Sequence, residues 1–224
     1  MKTYLLLLLL LTAPAVLFAG DFEDGVVAIQ NKDYETALNK WRPLAEKGDV
    51  RAQYNLGVMY ATGEGVPQDY KEVLKWLKLA VEQGNAEAQT SLGVMYFNGI
   101  GVTKDYNEAY RMYRLAAMQQ NAVAHYNLGV MYSSGMGVSQ DYREAVKRFR
   151  LASEQGNPMA QSNLGVMYAT GKGVKQNNVE ALKWFILSES KGWEDKQKNR
   201  ELTEKKMNPE QIDEARKLAS EWVQ

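Results

Sequence analysis

One pentapeptide, Leu-Gly-Val-Met-Tyr, occurs four times, at residues 56–60, 92–96, 128–132 and 164–168, each copy 36 residues after the last. No insertion interrupts the spacing. Each copy leads into Gly-x-Gly-Val, at residues 63–66, 99–102, 135–138 and 171–174. Asp-Tyr then follows at Asp69, Asp105 and Asp141, and the fourth copy substitutes Asn177-Asn178. An earlier half-copy keeps register, with Asp33-Tyr34 lying 36 residues before Asp69-Tyr70. A fixed period of this length marks a solenoid, in which each unit buries its apolar face only against its neighbours. At 224 residues the chain would otherwise be read as one or two globular domains.

Each repeat reads as two helices. Helix A starts after Asp49, Asn85, Asn121 and Asn157, residue types whose side-chain oxygens accept from free N–H groups of the first turn, and Pro158 suits the first helical position. Ala52, Leu56, Met59 and Tyr60 share one side of a 3.6-residue helix, which Gly63 then stops. Helix B opens on a capping-box spacing: Asp69 with Glu72, Asp105 with Glu108, Asp141 with Glu144 and Asn177 with Glu180. Gly57, Gly93, Gly129 and Gly165 sit inside helix A, where each costs about 1 kcal/mol relative to Ala. Close helix packing is the expected compensation.

The combined pattern, Ala-x-x-x-Leu-Gly-x-x-Tyr-x-x-Gly-x-Gly-Val-x-x-Asp-Tyr, resembles the Sel-one-like repeat, a relative of the tetratricopeptide repeat. In the first full copy it is carried by Ala52, Leu56, Gly57, Tyr60, Gly63, Gly65, Asp69 and Trp76. Met112 and Arg148 depart from it at the Trp76 position, and Gln120 stands where other copies end helix B with glycine. The resemblance implies an all-α fold, a right-handed α/α superhelix of antiparallel helix pairs. The pairs are expected over about 21–48, 49–84, 85–120, 121–156 and 157–192, within a repeat domain of 20–192. Residues 193–224 leave the period, and Asn208-Pro209-Glu210-Gln211 opens a capping helix carrying Ile212, Ala215, Leu218, Ala219 and Trp222.

Residues 1–19 have the layout of a secretory signal peptide: Lys2, the run Leu5 to Leu11, a break at Pro14 and a small-residue end at Ala19-Gly20. The apolar stretch of about 16 residues is shorter than the ~20 that cross a bilayer, which favours cleavage after Ala19 over an uncleaved anchor. A periplasmic or secreted chain without stable membrane insertion is expected.

Charge is balanced, 27 Lys+Arg against 27 Asp+Glu, so nucleic acid lacks the basic field it needs. Cysteine is absent and His125 is the one histidine, which leaves little for thiol, zinc or triad chemistry. No cofactor, metal or catalytic residue is expected. His125 takes the place of Gln53, Gln89 and Gln161 and reads as a substituted glutamine. The periodic Met59, Met95, Met131 and Met167 read as core rather than as thioether ligands. The Gly-x-Gly-Val turns lack the strand and the Lys-Ser/Thr tail of a phosphate loop.

A partner surface is sought on helix A opposite the core, which lines the concave side of such solenoids. The helical wheel selects Tyr54, Thr90, Phe97, Tyr126 and Ser162, with Asn55, Ser91, Asn127 and Asn163 beside them. Val58, Val94, Val130 and Val166 also lie there but are expected to pack helix on helix. The expected function is a non-enzymatic scaffold, a monomer that binds protein partners. Binding of cell-wall glycan or exopolysaccharide is the alternative. A hydrolase is disfavoured, because the relatives described as acting on β-lactams are cysteine-rich.

Overall fold

The computed structural model describes residues 15–194 and 198–223. All regular elements among them are α-helices: α1 (Ala15–Gln30), α2 (Tyr34–Glu46), α3 (Val50–Thr62), α4 (Tyr70–Glu82), α5 (Ala86–Asn98), α6 (Tyr106–Met118), α7 (Ala122–Ser134), α8 (Tyr142–Glu154), α9 (Pro158–Thr170), α10 (Asn178–Ser190), α11 (Asn199–Glu204) and α12 (Pro209–Val223). The chain divides into two compact units, residues 1–83 with α1 to α4 and residues 84–224 with α5 to α12. In each unit consecutive helices pack on one another, and in the second both α11 and α12 pack on α10. The all-helical stack of pairs is thus as expected, with the division falling between the second and third pairs. Most of the expected signal segment, residues 1–14, lies outside the described residues, whereas Ala15 to Ala19 begin α1. No described helix is long and apolar enough to cross a membrane.

The periodic residues supply the core. In the first unit Ala37, Trp41, Leu44, Ala52, Leu56, Met59 and Trp76 are buried together. In the second, Tyr113, Leu128 and Met131 form one cluster, and Phe149, Leu164, Met167, Trp184 and Ala219 another. All four repeat methionines are buried, which places them in packing.

Helix A caps follow the sequence. Asn85, Asn121 and Asn157 accept from the N–H of Ala88, Ala124 and Ala160 at 2.7, 2.9 and 2.9 Å. Helix B departs from expectation. Asp105 accepts from the N–H of Asn107 and Glu108, at 2.9 and 3.1 Å, but Glu108 does not return the bond. The Asp105 N–H instead donates to the Tyr96 carbonyl of the preceding helix A, at 2.9 Å, as Asp69 does to Tyr60, Asp141 to Tyr132 and Asn177 to Tyr168. Tertiary structure has satisfied the donor that the glutamate would have met, so Glu108 is free to pair with Arg111 at 2.8 Å. Among the described residues the reciprocal capping box forms at α12, where no helix A supplies a carbonyl: Asn208 N–H donates to Gln211 Oε1 at 3.1 Å and Gln211 N–H to Asn208 Oδ1 at 2.9 Å.

The helix A glycines are sites of close approach. A Cβ added to Gly93, Gly129 or Gly165 would come within 2.6 Å of the Tyr113, Phe149 or Phe185 ring of the following helix B. Each missing side chain makes room for one buried aromatic, which offsets its low helix propensity.

Candidate partner-binding surface

The A-helix positions picked from the wheel separate into two groups. In the second unit, Ser91, Asn127 and Asn163 occupy equivalent places on α5, α7 and α9, and each is half-buried. Asn163 is engaged by the Tyr126 hydroxyl. Ser91 and Asn127 keep uncommitted polar side chains, as do Ser162 on α9 and, within the first unit, Asn55 on α3. Tyr54 is half-buried too.

The remaining positions are more enclosed than the wheel suggests. Thr90 is a correction: it is buried at 7% exposure, and its hydroxyl lies 2.8 Å from the Ala86 carbonyl and 3.2 Å from Asn121 Oδ1, so it is part of the framework. Phe97 packs edge-on against Tyr106, with centroids 5.1 Å apart. Tyr126 leans on Phe149 at 6.1 Å, and burial pushes its phenol up against the lowering effect of the Asn163 bond. Both rings pack within the stack and are only half-buried, which the wheel could not resolve because it treats helix A as having one neighbour. Of the recurrent valines, Val94 and Val130 pack as expected, but Val58 is exposed.

Side-chain amides repeat one pattern of bonds within each unit. Gln83 Nε2 donates to Gln53 Oε1 at 2.8 Å and to the Gly48 carbonyl at 3.1 Å in the first unit. In the second, Gln119 repeats both bonds, to Gln89 Oε1 at 3.0 Å and to the Gly84 carbonyl at 2.8 Å. The next copy breaks the pattern. His125 is buried, neither ring nitrogen has a partner, and Gln155 turns its amide to its own helix at Leu151. Burial holds the His125 imidazole below its usual pKa, and the Arg148 guanidinium adds to the shift. Nearby, Tyr132 is pushed up to about 12 by burial and by its 2.7 Å contact with the Tyr110 hydroxyl.

Reactive constellations are scarce. Among the described residues no three His, Cys, Asp or Glu side chains converge as metal ligands would. One pair with Ser-x-x-Lys spacing, Ser188 and Lys191, escaped the sequence reading. Ser188 is 1% exposed and donates to the Pro158 carbonyl at 2.7 Å, while Lys191 is the exposed C-cap of α10, so the two do not form a nucleophile–base pair.

Comparison with known proteins places this architecture. Four Sel1 repeats match residues 50–85, 86–121, 122–157 and 158–193. A crystal structure of a protective antigen from uropathogenic Escherichia coli strains, displaying an SLR fold, is 31% identical with a TM-score of 0.81; the match covers 92% of this chain and 45% of that one. A Sel1 repeat protein from Oxalobacter formigenes is 32% identical with a TM-score of 0.69, over 77% of this chain and 71% of that one. A third structure, a putative sel1 repeat protein from Klebsiella pneumoniae, shares the fold at 20% identity and a TM-score of 0.51, over 92% and 93% of the two chains. The search of curated proteins finds no match. This chain spans less than half of the uropathogenic antigen. Sel1 repeat proteins are generally non-catalytic scaffolds for protein interaction. With four in-register repeats, consecutive helix pairs and two similar structures above 30% identity, the chain belongs to the Sel1 repeat family.

Proposed function

We propose that the chain is an exported scaffold, periplasmic or secreted, that binds a protein partner along the A-helix surfaces. The observation that carries this reading is the set of half-buried polar side chains left without an internal partner, Ser91 and Asn127 in the second unit and Asn55 in the first. A partly buried polar group that the fold does not satisfy gains from an outside donor or acceptor, and carboxamides suit the paired N–H and C=O of a peptide backbone. The recurrent capping, core and loop residues are already committed, so selectivity rests on the positions that differ between copies.

The test is site-specific crosslinking in the producing cell. A photoreactive residue at Asn127 captures a defined protein, whereas the same residue at the solvent-facing Lys147 of α8 does not. Equal capture from both positions sinks the reading of the surface. Export is checked separately by N-terminal sequencing of chain recovered from the envelope and the medium, which begins at Gly20; recovery with Met1 intact contradicts cleavage.

A further inference from the structure

The last helix pair, α9 with α10, departs from the others where helix B begins. In the second unit, the tyrosine of each Asp-Tyr packs beneath the next Gly-x-Gly-Val loop: a Cβ on Gly137 would meet Tyr106 at 2.6 Å, and one on Gly173 would strike the Tyr142 carbonyl. Asn178 brings no ring, and no further Gly-x-Gly-Val loop follows it, because the next elements are α11 and α12. The space left over is a cavity of about 790 Å³ bounded by α8, the end of α9 with its loop, α10 and α12. That volume is within the range of ligand pockets.

Two buried polar atoms of the residues around it lack internal partners. Trp184, 3% exposed, has no acceptor for its indole N–H. In the first full repeat the equivalent Trp76 donates to Glu72 at 2.9 Å while Glu72 also pairs with Lys75 at 3.1 Å, whereas here Glu180 pairs with Lys183 at 3.3 Å and does not accept from the indole. Asn178 Oδ1 is likewise buried without a donor. Trp222 stands edge-on to Trp184 at 5.0 Å and remains 44% exposed, so part of its indole faces the cavity mouth.

These features select a ligand class. Lys183 already sits 4.7 Å from the Trp184 centroid and 4.8 Å from that of Trp222, which occupies the place an ammonium ligand would take. The lining carries Arg150, Lys175 and Lys183 against Glu154 and Glu180, and Lys183 pairs with Glu180, so the balance is a single positive charge and no strong field. An extended peptide favours a long groove, and this cavity is closed on one side by α12. A hydroxyl both donates and accepts, which suits the carboxamides of Asn178 and Gln211 in the lining. The part of the Trp222 indole that remains exposed offers an apolar ring surface to the C–H face of a sugar ring. We infer that the cavity between α10 and α12 binds a neutral, hydroxyl-rich ring ligand, a short saccharide.

The experiment is calorimetric titration of the full chain with two probes, the β-linked trisaccharides of glucose and of N-acetylglucosamine. At least one binds saturably. Asn178→Tyr, which returns to the cavity the ring carried by the other repeats, weakens it by about tenfold or more, as does Trp222→Ala, while Trp222→Phe retains binding within about threefold. Circular dichroism and urea unfolding establish that the variants are folded. No saturable heat from either sugar overturns the proposal, as does binding that Asn178→Tyr leaves unchanged. Saturable binding of charged tripeptides in place of the sugars, abolished by Asn178→Tyr, would reassign the cavity to peptide.

Discussion

Gln119 donates its side-chain amide to Gln89, 30 residues earlier, and the same nitrogen reaches the Gly84 carbonyl, so one amide ties the end of helix B to its own helix A and to the preceding turn. At the third full repeat His125 stands in the Gln89 position and the tie is lost. Buried polar atoms without partners cost roughly 1–3 kcal/mol. His125→Gln therefore restores the rung and is expected to raise unfolding free energy by about 1 kcal/mol, measured by urea denaturation. A loss of stability would mean that the imidazole contributes by packing what it forfeits in hydrogen bonds.

The same residue sets a pH dependence. The folded chain holds His125 neutral because burial, helped by Arg148, depresses its affinity for a proton below the ordinary imidazole value of 6.5. The unfolded chain takes up that proton near 6.5 and the folded chain only at lower pH. Stability attributable to this residue is therefore complete above about pH 7 and falls as pH drops through 6.5 toward the lower folded value. Denaturation midpoints of the parent and His125→Gln are expected to separate progressively between about pH 7 and pH 5. Parallel curves would show that His125 does not titrate differently in the two states.

Most of the architecture was legible because one signal, the 36-residue period, fixes helix number, helix pairing and core together. Gly129 illustrates how far this goes: its place inside a helix called for a close neighbour, and Phe149 is there. What escaped were features set by a third helix. Thr90 points away from Ala88 on an isolated wheel, yet it lies against the turn holding Asn121. Glu108 has capping-box spacing, yet the Tyr96 carbonyl reached the Asp105 N–H first. The α10–α12 cavity was invisible for a similar reason. Asn178 showed as a departure, but the space it opens depends on where α12 docks.

Gly129 and Gly57 should respond differently to alanine. Alanine gains about 1 kcal/mol of helix propensity at either position. At Gly129 the added Cβ lies 2.6 Å from two carbons of the rigid Phe149 ring, and overpacking of this kind costs about 1–3 kcal/mol. At Gly57 the nearest atom is Leu77 Cδ2 at 3.0 Å, the end of a side chain that can rotate. Gly129→Ala is expected to lower unfolding free energy by about 1 kcal/mol and Gly57→Ala to leave it nearly unchanged. The combination of Gly129→Ala with Phe149→Leu, assayed in the same urea titration, should recover part of the added-Cβ penalty relative to Phe149→Leu alone.

The two acidic residues at the start of α6 separate by role. Asp105 accepts two N–H groups of the first turn, and loss of such a cap costs about 1 kcal/mol, up to 2. Glu108 makes no capping bond and pairs only with the exposed Arg111, an interaction worth a few tenths of a kcal/mol. Asp105→Ala is therefore expected to shift the unfolding midpoint clearly, and Glu108→Ala hardly at all. At α12 the reciprocal box predicts the opposite pattern, since Asn208 and Gln211 each satisfy the other's N–H. Asn208→Ala and Gln211→Ala should both accelerate amide exchange in the first turn of α12. Comparable losses from Asp105→Ala and Glu108→Ala would show that the glutamate reaches the Asp105 N–H in solution and that the Tyr96 carbonyl does not hold it.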